Sequence, residues 1–332
     1  MEPIDSLSFL ESEETGSLNQ KQYFELFNET YVLQRRVREN GIKVELGDKF
    51  RKVCRFCGES KPAVTFRKKA HVIPKQMGGK HCVNFFECDR CNHFFSLYES
   101  SLGAYLKPFR SVWKIPGYKG LPTYKHPATG LRIETVDDKV NIVSTKEGDP
   151  GFSIDYENNS ATINILRDPY IPVHVFKALL RIALCLLDDD EVPHFWRAFN
   201  WLRMPNFDSS KLNCSIFGWY FDAPRIETEA FLFKRRIIEL DHKAPEKVFV
   251  VRFGHIQYQM PIIFSDQDAA LESSLGLKWS TPVYPILLPA IEGRPPEISQ
   301  FSPINLNSLT KRTDDSMDLI IASDEPMKRD KS

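Results

Sequence analysis

Four cysteines set the chemistry open to this chain. Cys54 and Cys57 make one Cys-x-x-Cys pair, in CRFCG, and Cys88 and Cys91 make a second, in ECDRCN. A tight turn with that spacing presents two thiolates at the separation a tetrahedral Zn²⁺ requires, so the two pairs predict one four-cysteine zinc site. An ion held by four sulfurs has no open position, which makes it structural and leaves any reaction to other residues. Without metal the four would be ordinary reduced thiols. Cys82, which lacks a close partner, is not expected to be a ligand.

The residues that could react lie between and just after the pairs. His71 ends the run TFRKKAH, followed by Pro74 and by Gly78-Gly79. An imidazole, with its unperturbed pKa of ~6.5, is available as a neutral base near pH 7. Its plain alternative is a buried histidine held by hydrogen bonds. Asn84 stands ahead of the second pair, and Asn92 directly follows Cys91. An asparagine amide oxygen is a neutral, hard ligand suited to Mg²⁺ or Mn²⁺. Glu99 lies on the same helical face as Asn92 about two turns (~10 Å) along. Read alone, it is a surface acid. Arg67, Lys68 and Lys69 beside His71 could grip phosphates, although exposed cations on a strand are also simply well solvated.

These side chains need elements to position them. Residues 65–73 read as an extended segment ended by Pro74, and Gly78-Gly79 supplies the turn back. Asp89 can cap a helix starting near Arg90 that buries Phe94, Leu97 and Leu102, or a neighbouring stripe. The order is strand, turn, strand, helix.

At these residues the sequence resembles the HNH endonucleases, members of the His-Me finger or ββα-metal nucleases. The likeness is to the subgroup with a Cys-x-x-Cys knuckle, a His-x-x-Pro with a nearby Gly-Gly, and a final Cys-x-x-Cys-Asn. It covers residues 51–106. It implies a ββα-metal module in which His71 is the general base, Asn84 orients that histidine and Asn92 binds a catalytic Mg²⁺ or Mn²⁺ ion. It also implies phosphodiester hydrolysis in DNA, with RNA fitting the same chemistry and defence against foreign DNA a further implied role. The sequence departs from the family pattern at Ala70, where many members carry an acidic or histidine ligand, and Glu99 is the candidate replacement. A zinc-finger protein that binds nucleic acid without cutting it carries the same knuckles and is the alternative. A zinc-stapled protein-interaction module is a third.

Composition frames the rest. At 332 residues, 42% apolar and 27% charged, with 44 acidic and 44 basic residues, the chain suits a globular α+β protein of more than one domain. The overall neutrality hides a basic stretch, because residues 51–95 are rich in Lys and Arg. The acidic start lacks the features of a secretory signal, and no apolar run approaches the ~20 residues of a membrane span. The expectation is a cytoplasmic, reducing location with no membrane partner.

The domain reading is a flexible acidic lead (1–16), a helix and lead-in strand (17–50), the zinc-stapled module (51–106), a Pro/Gly-rich linker (107–127), a larger α+β domain (128–292) and a disordered tail (293–332). The lead-in helix is expected to run to about Asn40 on the stripe Phe24, Phe27, Tyr31 and Val37. The larger domain should hold hairpins over 131–142 and 152–165, helices from Pro172 and around 195–202, and strands over 214–221, 231–237, 247–253 and 256–264. Target recognition, regulation and dimerisation are the roles open to it. The acidic run Asp188 to Glu191 reads as a solvated turn, and Trp196 and Trp201 read as core.

Overall fold

The computed structural model describes residues 20–117, 120–137, 139–144, 149–206, 214–221, 226–236, 244–262, 264–275 and 298–322. The expected flexible lead, and the tail beyond 322, lie outside these residues.

Helix α1 (Gln20–Thr30) gives way at once to strand β1 (Tyr31–Arg38), so the expected continuous helix to Asn40 is corrected. Tyr31 and Val37 are buried as anticipated, but in a strand. The strand pairs antiparallel with a segment about 200 residues away in sequence, and the tertiary partner overrides a local 3.6-residue period.

The short strands β2 (Val44–Leu46), β3 (Ala70–His71) and β4 (Cys82–Asn84) form a sheet in the order β2-β4-β3, and helix α2 (Asp89–Val112) follows. The expected strand, turn, strand, helix order is present. Helix α2 buries the neighbouring stripe, Phe95, Tyr98, Leu102, Tyr105, Leu106 and Phe109, and leaves Leu97 exposed. It also runs past residue 106, so the stretch read as linker begins as helix.

Strands β5 (Tyr124–Lys125), β6 (Leu131–Val136) and β7 (Lys139–Ser144) make one small antiparallel sheet, and β8 (Phe152–Asp155) and β9 (Ser160–Leu166) begin another. Both expected hairpins are there, because alternating apolar residues meet polar turns that tolerate positive φ at Asp137 and Asn159.

Helix α3 (Pro172–Cys185) is buried along all 14 residues; its apolar faces account for most of this, and the polar side chains Lys177 and Arg181 are buried with hydrogen-bond partners. Helix α4 (Trp196–Leu202) follows; Trp201 is core, but Trp196 is half exposed, a correction to its expected place. Strands β10 (Ser215–Phe221), β11 (Ile226–Arg235), β12 (Lys247–Gly254) and β13 (Ile256–Ile262) come close to their expected spans, and helix α5 (Asp266–Leu275) follows.

The stretch expected to be a disordered tail instead supplies β14 (Ile298–Asn305) and β15 (Ser316–Ala322). The large antiparallel sheet has the order β1-β11-β12-β13-β10-β14, and β15 joins β9 and β8. Pro303 is tolerated in β14 because that strand is an edge.

The architecture is α+β. One apolar core runs without a break from Phe56, Phe95 and Tyr98 through α3 to Val251 and Phe253 of β12. Phe56 packs on Phe199, their ring centroids 5.6 Å apart, and the Tyr98 hydroxyl donates to the Leu202 carbonyl at 2.7 Å. No described helix is long and apolar enough to cross a membrane.

Candidate active site

The sulfurs of Cys54, Cys57, Cys88 and Cys91 all lie within 4.8 Å of one another, with Cys57 and Cys88 at 3.9 Å. Bonds of ~2.3 Å to a tetrahedral ion place sulfurs ~3.8 Å apart, so the donor set fits Zn²⁺. The first knuckle turns at Gly58, whose φ of +74° no β-carbon opposes. The second is the start of α2 itself, where the Cys88 sulfur accepts from the Cys91 amide at 3.4 Å. A bond from the Cys91 thiol brings the Cys54 pKa down to about 5, while burial pushes Cys88 up to about 11. Negative charge on Cys54 adds to the burial that opposes ionisation of Cys88, and a bound dication would offset that repulsion. Cys82 is buried away from the cluster, as expected.

A separate open cleft of about 650 Å³ is lined by His71, Asn92 and Glu99, together with Lys68 and Lys69. His71 enters it from the end of β3, held in register by its pairing with Val83 of β4. Burial, then the nearby Lys75, lowers its pKa below the ordinary histidine value, which favours the neutral ring. Asn92 stands in the first turn of α2, and Glu99 follows two turns along on the same side. Burial raises the Glu99 pKa against the pull of Arg181 and Lys75, so a cation at this carboxylate would be well compensated. Ala70 is buried and offers no ligand atom.

Residues 54–98 match the HNH endonuclease family. No curated protein and no solved structure matches the chain. The HNH segment therefore covers both cysteine pairs, His71, Asn84 and Asn92, and ends one residue short of Glu99.

The supports behind the HNH segment differ from those expected of the sequence. Asn84 was assigned the orientation of His71, but its buried amide donates to Glu87 at 3.5 Å and to the Cys185 sulfur at 3.9 Å. Among the described residues it makes no bond to His71. Asp89, expected to cap α2, gives that place to Cys88 and instead accepts from the Arg67 and Lys68 amides at 3.0 and 2.9 Å. It thereby fixes the basic segment that leads into β3, of which Lys68 and Lys69 reach the cleft and Arg67 does not line it.

Two arginines tie the HNH segment to α3. Arg181, 1% exposed, donates to the carbonyl of Val72 at 3.0 Å and to Glu87 at 2.6 Å, and lies 3.8 Å from Glu99. Arg55 meets the C-terminal end of the same helix, donating to the Leu184 carbonyl at 3.3 Å and to the Leu187 carbonyl just beyond it at 2.9 Å, and pairs with Asp189. It stacks on Phe86 at 3.8 Å and so belongs to the interior rather than to a phosphate-binding surface. The sequence carried one signal for Arg181, a charge in the middle of an apolar helix, which burial obliges to find partners. Arg110 and Gln76, which also line the cleft, carried none.

Proposed function

We propose that the chain is a metal-dependent HNH endonuclease that hydrolyses phosphodiester bonds in DNA. The observation that carries the reading is the single open cleft shared by His71, Asn92 and Glu99, set apart from the cysteine cluster. His71 takes a proton from the attacking water as its oxygen bonds to phosphorus and the bond to the leaving sugar oxygen breaks. The Asn92 amide and Glu99 carboxylate would hold a hard divalent ion, which would supply positive charge to offset that developing on the phosphate. Lys68 and Lys69, and Arg67 beyond them, take the flanking backbone. Zinc staples the base of the hairpin and does no chemistry.

Supercoiled plasmid incubated with the protein and Mg²⁺, Mn²⁺ or Ni²⁺ should be converted to nicked or linear forms, and EDTA should stop it. A salt-dependent gel shift without conversion under any of these ions would favour a nucleic-acid-binding module instead. Neither shift nor conversion would favour a protein-interaction module.

A further inference from the structure

Part of the lining of the cleft comes from outside the HNH segment: Arg110 in the last turn of α2, and Gly117, Gly120, Leu121 and Pro122. Arg110 is half-buried. Its Nε is enclosed and bonded to nothing, and among the described residues no carboxylate pairs with its guanidinium. Burial alone acts on its pKa, lowering it, with no opposing acid to restore it. A cation in the last turn of a helix gains from the helix dipole. That gain accounts neither for the enclosure nor for an unbonded donor, which costs free energy where it stands.

The chain also leaves room for this group. A β-carbon added at Gly117 would run into Arg110 Nη2, the far end of a flexible side chain, so the missing side chain at 117 lets the guanidinium take its place. A rigid fork of donors, short of acceptors and facing an open cleft beside Lys68 and Lys69, is suited to a phosphate oxygen pair.

We infer that Arg110 is a phosphate-binding residue of this cleft, gripping a backbone phosphate of the nucleic acid. The inference rests on the nuclease reading of the cleft and extends it to a residue outside the family match. Nucleic acid would then be held by Lys68, Lys69 and Arg110 together. The lining that Arg110, Gly117, Gly120, Leu121 and Pro122 provide would be part of the binding site.

The test measures binding of a short fluorescein-labelled DNA duplex across a salt series in Ca²⁺, in place of a catalytic ion, for wild type, Arg110→Met, Arg110→Lys and Gly117→Ala. Arg110→Met should bind roughly tenfold more weakly, with a salt slope shallower by ~0.9. Arg110→Lys should keep the slope and lose part of the affinity. Gly117→Ala should weaken binding with no change of charge, and it decides the matter should Arg110→Met fail to fold. Wild-type affinity and slope in both Arg110→Met and Gly117→Ala would overturn the inference, as would wild-type protein that binds no DNA. Plasmid cutting separates the two readings. Weakened variants with a wild type that cuts under no divalent ion leave the phosphate contact standing and remove the nuclease, whereas a cutting wild type with unaffected variants does the reverse.

Discussion

A histidine serves as a base only while it is neutral, and the surroundings of His71 act on that condition. Burial and Lys75 hold its pKa below the ordinary value near 6.5. Raising the pH through that lowered value deprotonates the ring, so kcat/KM for DNA cleavage should rise to a plateau whose acid-side midpoint lies under pH 6.5. A pH-rate profile checks this, and a midpoint above that value would remove His71 from the role. Glu99 permits a sharper statement about the ion. Glu99→Gln keeps the shape but discards the charge, so the Mg²⁺ or Mn²⁺ concentration for half-maximal cutting should rise about tenfold or more. An unchanged metal requirement would reduce Glu99 to a lining residue. Both residues could be nominated from the sequence, His71 because the HNH resemblance implies a base there and Glu99 because its helical spacing from Asn92 makes it the candidate for the ligand that Ala70 lacks. Arg110 could not be nominated that way, since only the packing at Gly117 brings it to the cleft.

At the scale of elements, α3 is the scaffold on which the HNH segment rests. Arg181 joins the backbone just after His71, the acid before the second knuckle and the carboxylate in the cleft. Removing one partner of a buried pair leaves the other charge uncompensated, at about 3–5 kcal/mol. Arg181→Met should therefore lower the unfolding free energy by that order, and adding Glu87→Gln should recover part of it, as chemical denaturation of the single and double variants would show. A double variant whose loss equals the sum of the Arg181→Met and Glu87→Gln losses would mean that the pair is not coupled. The knuckles and later hairpins were readable because their signals are local: fixed cysteine spacing, alternation and turn residues. Strand β1 was misread because Phe27, Tyr31 and Val37 fit a helical stripe, and its strand partner β11 is too distant in sequence to be sensed locally. Strands β14 and β15 are hidden for the same reason: each is a short segment within a stretch rich in Pro, Ser, Asn and charge, and each pairs with a strand far away in sequence, β10 and β9.

Across the whole molecule, the run Asp188 to Glu191 is a junction rather than the solvated turn its composition suggested. Asp188 pairs with Arg35 of β1, Asp189 with Arg55, and Glu191 with Lys234 at 2.8 Å and the fully buried Lys247 at 2.6 Å. Burial pushes the Glu191 pKa upward, but bonds from Lys234, Lys247 and Gln34 together outweigh it and bring the group down to about 2. Its contribution to stability is thus complete above the ordinary carboxylate range and is lost as the pH falls from there toward about 2. Glu191→Gln should cost about 1–3 kcal/mol at pH 7, and the deficit against wild type should shrink on acidification. A deficit independent of pH would assign the residue a packing role. Through this junction and the continuous core, the large sheet, α3 and the HNH segment form one body.

The central claim, that the cleft cuts a phosphodiester with His71 as base, is tested most directly by the single-turnover cleavage rate of a labelled DNA duplex with wild type and His71→Ala. The account predicts a fall of about 10²–10⁴-fold with DNA affinity and zinc content unchanged; equal rates in the two proteins would contradict it.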